Sequence, residues 1–409
     1  IFYFNSKNEL NKNSGNLLNI PFNEKLYSVF SYNEEVNDNV KSLNKNEYAG
    51  LIDNNVLKFD LPGLIFQLNN INHQYKIESP VLYNFLDFVC KKIIKLNSDD
   101  SEKFLKEPIA MFTHDVDQVN INSVQHTLKF FESAIKNKDL KSFIYGISQL
   151  KKRVTSSKDI NEINYENYLE TENRFNCRSA FYFTCLGSER DNIDPLYTLK
   201  TKLIYNNITV KELWDRILKN GNEIGLHTSV YSIKRDKELN NEIKRIKNEV
   251  PELKGTRAHT LRVSENFYKI LEQEKIEYDT SYSYNEMIGY RSGHFLPFYP
   301  FIDGRKLDVL IIPFSFMDSI LAHQNGYPKN QTEKNMHFEN IKVHMDNLIK
   351  HNGIMVFNWH FRTVNNSRMP YMFEIYKDIL KYLYDKKIKF VRPCDFAYSY
   401  KKYLLNFYK

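Results

Sequence analysis

The stretch IAMFTHDVD, residues 109–117, joins the end of an apolar run to the start of a polar one. Ile109 to Phe112 have the length and the apolar character of a buried strand. Two acidic residues, Asp115 and Asp117, then stand one residue apart where that strand is expected to end. Like charges so close raise each other's pKa and cost stability unless a positive partner lies beside them. The stretch therefore predicts such a partner, which could be a cation, an arginine or water.

Apolar runs of strand length alternate with helical patterns from this stretch onward. The strand candidates are IAMFT (109–113), SAFYFTC (179–185), EIGLH (223–227), GTRAH (255–259), IEYDTS (276–281), LDVLIIP (307–313) and GIMVFNWH (353–360). The helical patterns include NYLETENRF, VKELWDRILKN, KELNNEIKRIKNEV, SENFYKILEQE, residues 333–351 and PYMFEIYKDILKYLYDKK. This alternation predicts an α/β fold with a parallel sheet and helices outside it. About seven such units are compatible with an irregular (β/α)7-type barrel and also with an open sheet.

The chain divides into two regions of different pattern. Residues 1–106 mix short strand-like runs with Asn-rich turns and close with an amphipathic helical pattern near 81–96. We expect them to form a smaller α+β companion domain, with the barrel at 107–409 and a polar, mostly helical insert at about 121–172. The first residue is not Met, so we expect the start of the first domain to be truncated.

Composition excludes several classes of function. Of the 409 residues, 42% are hydrophobic and 26% charged, which is typical of a soluble globular protein. The net charge of +7 is modest and spread along the chain, so nucleic acid is not expected as a partner. The four cysteines lack CxxC spacing, which excludes a cysteine zinc knuckle and favours a reducing, cytoplasmic location. The sequence has no apolar run of membrane-spanning length and no G-x-G-x-x-G or G-x-S-x-G motif.

Polar residues that could take part in catalysis or binding stand at the ends of the predicted strands. In α/β folds of this kind, ligands bind at the carboxyl ends of the strands. The residues found there are Asp115, Asp117, His227, Arg257, His259, Asp279 and His360. Ordinary surface turns would not be expected to supply so many His, Asp and Arg residues at strand ends.

The acidic pair and His227 could form part of a metal site. Residues two apart in an extended segment point the same way, so one of Asp115 and Asp117 could bind a divalent cation while the other acts as a base. A solvated Asx turn is the alternative interpretation of the pair. His227 could bind the same ion, although a lone histidine is more often a satisfied core residue. Four residues further on stands Tyr231, a poor zinc ligand because a phenol has a pKa near 10.

The remaining strand-end residues could complete a hydrolytic site. Arg257 could pair with a carboxylate and lower its pKa, and His259 could supply the nitrogen that Tyr231 cannot. A strand-end salt bridge and an exposed histidine are the alternative. His360, after Trp359, could protonate a leaving group as a general acid, or it could be an interfacial histidine. Together these residue types are suited to metal-assisted hydrolysis.

The order of the motifs HDVD, EIGLH, TRAHTLR, YDTS and WH resembles that of the polysaccharide deacetylases, the NodB-homology superfamily. The block YDTSYSYNEMIGYRSGHFLPF is similar to a bacterial branch that has a separate N-terminal domain. The resemblance covers about residues 107–395. It implies an irregular (β/α) barrel of about seven strands that removes N-acetyl or O-acetyl groups from sugars with zinc or a similar ion.

The resemblance also implies roles for individual residues. It makes Asp115 the base, Asp117 and His227 metal ligands, Arg257 the group that steadies the base and His360 the acid. The usual third ligand of the family is a histidine at the position of Tyr231. We take His259 as its candidate replacement, with two protein ligands plus water as the fallback. Arg291 and His294, in YRSGH, either line the cleft or have a structural role.

From these features we expect a metal-dependent hydrolase, with zinc as the first choice of ion and an envelope or surface saccharide as the substrate. The alternative is a catalytically weak barrel of the same fold that binds saccharide or acts as a scaffold. The sequence indicates neither the sugar nor the oligomeric state.

Overall fold

The computed structural model describes most of the chain beyond residue 107. The described ranges are 16–22, 25–31, 52–53, 56–57, 107–117, 119, scattered positions between 131 and 147, 165–184, 197–203, 208–232, 235–292, 294–303, 305–324, 326–364 and 369–407. The helical pattern near 81–96 and most of the predicted insert lie outside these residues. The proposed division into domains at residue 106 therefore stays a prediction.

The described strands form one large sheet and three small hairpins. In chain order they are β1 Asn16–Phe22, β2 Lys25–Ser31, β3 Ile52–Asp53, β4 Val56–Leu57, β5 Ile109–Val116, β6 Ala180–Thr184, β7 Glu223–Thr228, β8 Gly255–Ala258, β9 Tyr278–Asp279, β10 Phe301–Ile302, β11 Arg305–Lys306, β12 Leu310–Ile311, β13 Phe316–Met317, β14 Ile354–Asn358 and β15 Lys389–Phe390. The pairs β1–β2, β3–β4 and β10–β11 are antiparallel.

The large sheet is parallel throughout. Its strand order is β12-β9-β8-β7-β6-β5-β14-β13, and β15 pairs with the beginning of β5. The sheet curls into a half-barrel, so the predicted α/β class with a barrel-like parallel sheet is confirmed. All seven predicted strands are present, and β13 and β15 add two that the sequence pattern did not indicate.

Helices cover the sheet, as the alternating pattern predicted. They are α1 Tyr165–Arg174, α2 Val210–Lys219, α3 Asp236–Lys247, α4 Glu265–Gln273, α5 Ser319–Gln324, α6 Gln331–Lys350, α7 Met372–Asp385 and α8 Pro393–Phe407. Helix α2 begins at a capping box, in which Glu212 N donates to Thr209 Oγ1 at 3.2 Å and Thr209 N donates to Glu212 Oε2 at 2.6 Å. No described helix is both long enough and apolar enough to cross a membrane.

The core explains why the strands are nearly continuous apolar runs. All eight residues of β5 are buried, as expected for a parallel strand covered on both faces. Two glycines bring strands close to large rings, because a Cβ at Gly225 or Gly255 would overlap the ring of Tyr182 or Tyr278. This packing leaves the carboxyl ends of the strands as the edge where polar side chains meet.

Candidate metal centre

The carboxyl ends of β5, β7, β8 and β14 open into one cleft. Its volume is about 310 Å³. The lining residues are Asp115, Asp117, His227, Ala258, His259, Thr260, Leu261, Asn285, Met317, Ser319, His360 and Arg362. The parallel register that pairs His227 with Arg257 across β7 and β8 brings these residues to the same level. The structure therefore brings together the polar residues predicted at four different strand ends.

Three candidate ligand atoms in the cleft surround one point. Asp117 Oδ1 lies 3.3 Å from His227 Nε2 and 3.6 Å from His259 Nδ1. The two imidazole nitrogens are 2.9 Å apart. Ligands about 2.1 Å from a tetrahedral zinc ion are separated by about 3.3 Å, so these three distances fit a single small ion. His259, which lies on the 3₁₀ turn after β8, is the third member of this group of candidate ligands.

Each of the two histidines presents a ring nitrogen to this point. His227 Nδ1 lies 3.0 Å from the backbone oxygen of Arg257, so a proton on Nδ1 leaves the Nε2 lone pair facing the cleft. Burial and the neighbouring His227 lower the pKa of His259 to about 4. A neutral imidazole is the form that binds metal ions.

Asp117 is ionised although it is nearly buried. Burial alone raises its pKa, but the neighbouring His227 and Arg362 outweigh burial and hold the pKa well below its ordinary value. Its Oδ1 oxygen accepts no hydrogen bond within the described part of the chain. A buried carboxylate oxygen without a donor is costly unless a cation takes its place, so the donor set and this oxygen both fit a divalent ion.

Asp115 lies beside this group but is held by other partners. Asn358 Nδ2 donates to its Oδ2 at 2.6 Å, and Arg257 Nη1 lies 3.8 Å from its Oδ1. Burial raises the pKa of Asp115, but Arg257 and His227 outweigh it and lower the pKa below its ordinary value. Asp115 is thus an ionised carboxylate in the cleft.

Arg257 is fully buried and rigidly held. Its Nε and Nη2 donate to Thr280 Oγ1 and Thr113 Oγ1, both at 2.9 Å. The guanidinium carbon lies 4.3 Å from the ring centre of Phe314 and 5.1 Å from that of Tyr182. A buried cation in this setting needs a carboxylate nearby, and Asp115 provides it.

His360 is oriented by an acid that the sequence did not reveal. Its Nδ1 pairs with Asp318 Oδ1, and its backbone N–H donates to Asp318 Oδ2 at 3.0 Å. Its Nε2 lies 3.8 Å from Asp117 Oδ2. Asp318 follows β13, a two-residue strand too short to stand out in the sequence, so no signal marked it. Asn358 and Arg362 were also missed, although both lie within two residues of His360.

Other residues named from the sequence lie away from the cleft lining. Asp279 accepts hydrogen bonds from Thr256 and Ser281, which ties β8 to β9 and gives it a structural role. Arg291 lies over the ring of Tyr282 and His294 lies against Phe298, and neither residue is among those that line the cleft. Tyr231 is not among the lining residues.

One family model matches part of the chain. Residues 207–374, fewer than half of the 409 residues, are similar to the WbmS-like polysaccharide deacetylases. The match includes His227, Arg257, His259 and His360, and Asp115 lies before it. None of the curated proteins matches the chain.

Several solved structures resemble this chain at low sequence identity. A protein assigned as a polysaccharide deacetylase from Mycobacterium smegmatis is 14% identical, covers 72% of this chain and 90% of its own, and has a TM-score of 0.44. PuuE allantoinase is 14% identical over 72% and 91%, with a TM-score of 0.47. WbmS of Bordetella bronchiseptica, assigned to O-antigen biosynthesis, is 11% identical over 62% and 71%, with a TM-score of 0.32. All three scores lie below 0.5, so none of these structures decides the family of this chain.

Proposed function

We propose that this chain is a divalent-metal-dependent hydrolase that removes N- or O-linked acetyl groups from a saccharide of the cell envelope or surface. The observation that carries the proposal is the meeting of Asp117 Oδ1, His227 Nε2 and His259 Nδ1 around one point, beside an ionised Asp115. The similarity of residues 207–374 to the polysaccharide deacetylases supports a saccharide substrate and an acetyl group.

The donor set of one carboxylate and two imidazoles favours zinc. Structural and catalytic zinc sites use these ligands, and a site with three protein ligands keeps a position open for substrate or water. An ion bound there would act as a Lewis acid and would make water a better nucleophile at neutral pH. Asp117, His227 and His259 would hold it.

Asp115 is the proposed general base. Its lowered pKa keeps it ionised at neutral pH, so it can accept the proton of the attacking water. The hydrogen bond from Asn358 and the charge of Arg257 fix the carboxylate in the cleft. Because Arg257 is itself anchored on both sides, the base cannot turn away from the reacting group.

His360 is the proposed general acid. Its pairing with Asp318 through Nδ1 directs Nε2 into the cleft, where it can protonate the departing amine or alkoxide. The carboxylate sets the tautomer and the orientation of the imidazole, as in other acid–histidine pairs. The cleft then has a base and an acid on two neighbouring strands, β5 and β14.

We further propose that residues 1–106 form a companion domain to the barrel at 107–409, and that the protein works in the cytoplasm. Support for the boundary comes from β5, the first strand of the sheet, which begins at Ile109. The location is supported by the sequence alone.

Metal content and deacetylation of N- and O-acetylated oligosaccharides together test the proposed function. We expect one zinc ion per chain, and we expect Asp117→Ala to lose both zinc and turnover. Asp115→Asn should keep zinc and lose turnover by about 10²–10⁴-fold, the usual contribution of a general base. Asp215→Asn, an exposed change on α2, is the control and should match wild type.

Full turnover by Asp115→Asn would remove Asp115 as the base. A wild-type chain that binds saccharide without zinc or turnover would support a binding or scaffold protein.

A further inference from the structure

Arg362 reaches into the cleft from the 3₁₀ turn Phe361–Thr363 that follows β14. Its Nη1 donates a hydrogen bond to Oδ2 of Asp117, and its side chain is 28% exposed. The proposed reaction gives this arginine no part, because Asp115 has Arg257 as its cation and His360 has Asp318 as its acid.

The two oxygens of Asp117 face different partners. Oδ1 faces the two histidine nitrogens at 3.3 Å and 3.6 Å, where the ion is proposed to lie. Oδ2 faces Arg362, and His360 Nε2 is 3.8 Å away on the same side. Oδ1 of Asp117 therefore faces the proposed ion, and Oδ2 faces Arg362.

The hydrogen bond from Arg362 holds Oδ2 of Asp117 strongly. The guanidinium of an arginine stays charged in proteins, so the hydrogen bond from Arg362 to Oδ2 of Asp117 joins two charged groups. A hydrogen bond between a charged guanidinium and a carboxylate is among the strongest in proteins. Turning Asp117 so that both oxygens reached the ion would break this bond.

We propose, building on the proposed function, that Arg362 is a positioning residue that holds Oδ2 of Asp117 and restricts Asp117 to binding the ion through Oδ1 alone. The site then offers one oxygen and two nitrogens, which suits the low coordination number of Zn²⁺. Larger or harder ions such as Mn²⁺ and Ca²⁺ prefer more oxygen ligands, and Ca²⁺ often takes both oxygens of a carboxylate. Arg362 thus selects zinc by limiting the number of ligands.

Competition titrations of the full chain with Zn²⁺ and Mn²⁺ test this role. Arg362→Met removes the donor and keeps an unbranched apolar stem, and Arg362→Lys keeps the charge with a shorter reach. The control is Arg235→Met, an exposed arginine that lies over the ring of Tyr231, which does not line the cleft. The visible absorption spectrum of the Co²⁺-loaded protein reports coordination number, because bands of four-coordinate Co²⁺ are far more intense than those of six-coordinate Co²⁺.

We expect the ratio of zinc affinity to manganese affinity to fall about tenfold in Arg362→Met, the lower end of effects from residues that orient metal ligands. The Co²⁺ bands should weaken as Oδ2 joins the ion. Loss of the positive charge of Arg362 changes the affinities for the two divalent ions equally. A change in the ratio of zinc affinity to manganese affinity therefore reports the change in coordination geometry. Arg362→Lys should fall between wild type and Arg362→Met, which also provides a reading if Arg362→Met does not fold.

An unchanged ratio and spectrum in Arg362→Met would overturn the role of Arg362 and leave the proposed function standing. A wild-type chain that binds neither ion would overturn both.

Discussion

Two clusters of histidine and acid lie on opposite faces of strand β5, and they differ in how many of their polar atoms have partners. The first, the structural cluster, comprises His114, Glu172, Ser179 and Tyr376. The second, the metal cluster, comprises Asp117, His227 and His259. Since successive residues of a strand point to opposite faces, His114 and Asp115 face away from each other, and the two clusters belong to different sides of the sheet.

The structural cluster is complete. His114 Nε2 lies 2.8 Å from Glu172 Oε1, and its Nδ1 lies 3.0 Å from the backbone oxygen of Trp359. Ser179 Oγ and Tyr376 OH also donate to Glu172, at 2.8 Å and 2.6 Å. A fully satisfied buried network of this kind fixes the packing of α1 and α7 on the sheet.

The metal cluster is incomplete. Its two imidazole nitrogens face each other at 2.9 Å, and Asp117 Oδ1 lacks a donor among the described residues. Acid and histidine side chains occur in both clusters, so residue type alone does not separate structure from function. The difference is that the protein satisfies the structural cluster, whereas the proposed cation would satisfy the metal cluster.

Removal of one member from the metal cluster should produce the largest effect. We expect His227→Ala to lower zinc affinity by about 10²–10³-fold, since each ligand carries a share of the 10–16 kcal/mol that zinc sites provide. The unfolding free energy of the metal-free protein should stay within about 1 kcal/mol of wild type, because the substitution also removes a crowded pair of nitrogens. Zinc titration and urea unfolding in chelator measure the two quantities.

Exposed His323→Ala is the control, and equal zinc affinity in His227→Ala and wild type would contradict the comparison.

Removal of the shared acceptor from the structural cluster should have the opposite pattern. Glu172→Ala leaves His114, Ser179 and Tyr376 without their common partner, and we expect the unfolding free energy to fall by about 3–5 kcal/mol. Zinc affinity of the folded fraction should not change. Urea unfolding and zinc titration of the same preparation measure both, and Glu172→Gln is the milder variant. A loss of zinc affinity without a loss of stability would reverse the roles of the two clusters.

Glu242 is a third buried acid, and it differs from both clusters because a bound proton neutralises its carboxylate. Glu242 Oε2 accepts from Ser229 N at 3.0 Å, its Oε1 has no partner among the described residues, and burial raises its pKa to about 7. The folded state then holds a proton that the unfolded state releases above pH 4.5. Stability should therefore fall as pH rises from about 4.5 to 7, by at most about 3.4 kcal/mol at 1.36 kcal/mol per pKa unit.

Glu242→Gln should remove this decline. We expect the difference in unfolding free energy between variant and wild type to grow in favour of the variant between pH 4 and pH 8. Urea unfolding at several pH values measures it. Parallel pH profiles of the two proteins would show that Glu242 does not hold a proton in the folded state.

The sequence predicted the sheet well because buried parallel strands are apolar runs that need no partner to be recognised. The runs at β5, β7 and β14 also placed Asp115, His227 and His360 at one edge. The two-residue strands β13 and β15 were missed, since two residues carry no periodic signal.

The partners of the site residues were predictable only in part. Arg257 and His259 stand two residues apart at a predicted strand end, so the sequence alone indicated both as site residues. Asp318 and Arg362 act on His360 and Asp117 through tertiary contacts, and nothing in their local sequence records those contacts. Likewise, the sequence places His114 three residues before Asp117 but could not tell that the two belong to different clusters.

The most direct test is a crystal structure of the protein grown with zinc, with anomalous difference maps collected at the zinc absorption edge. We predict a single peak in the cleft within about 2.3 Å of Asp117 Oδ1, His227 Nε2 and His259 Nδ1. A well-ordered cleft without a peak, or a peak bound to His227 and not to Asp117, would contradict the account.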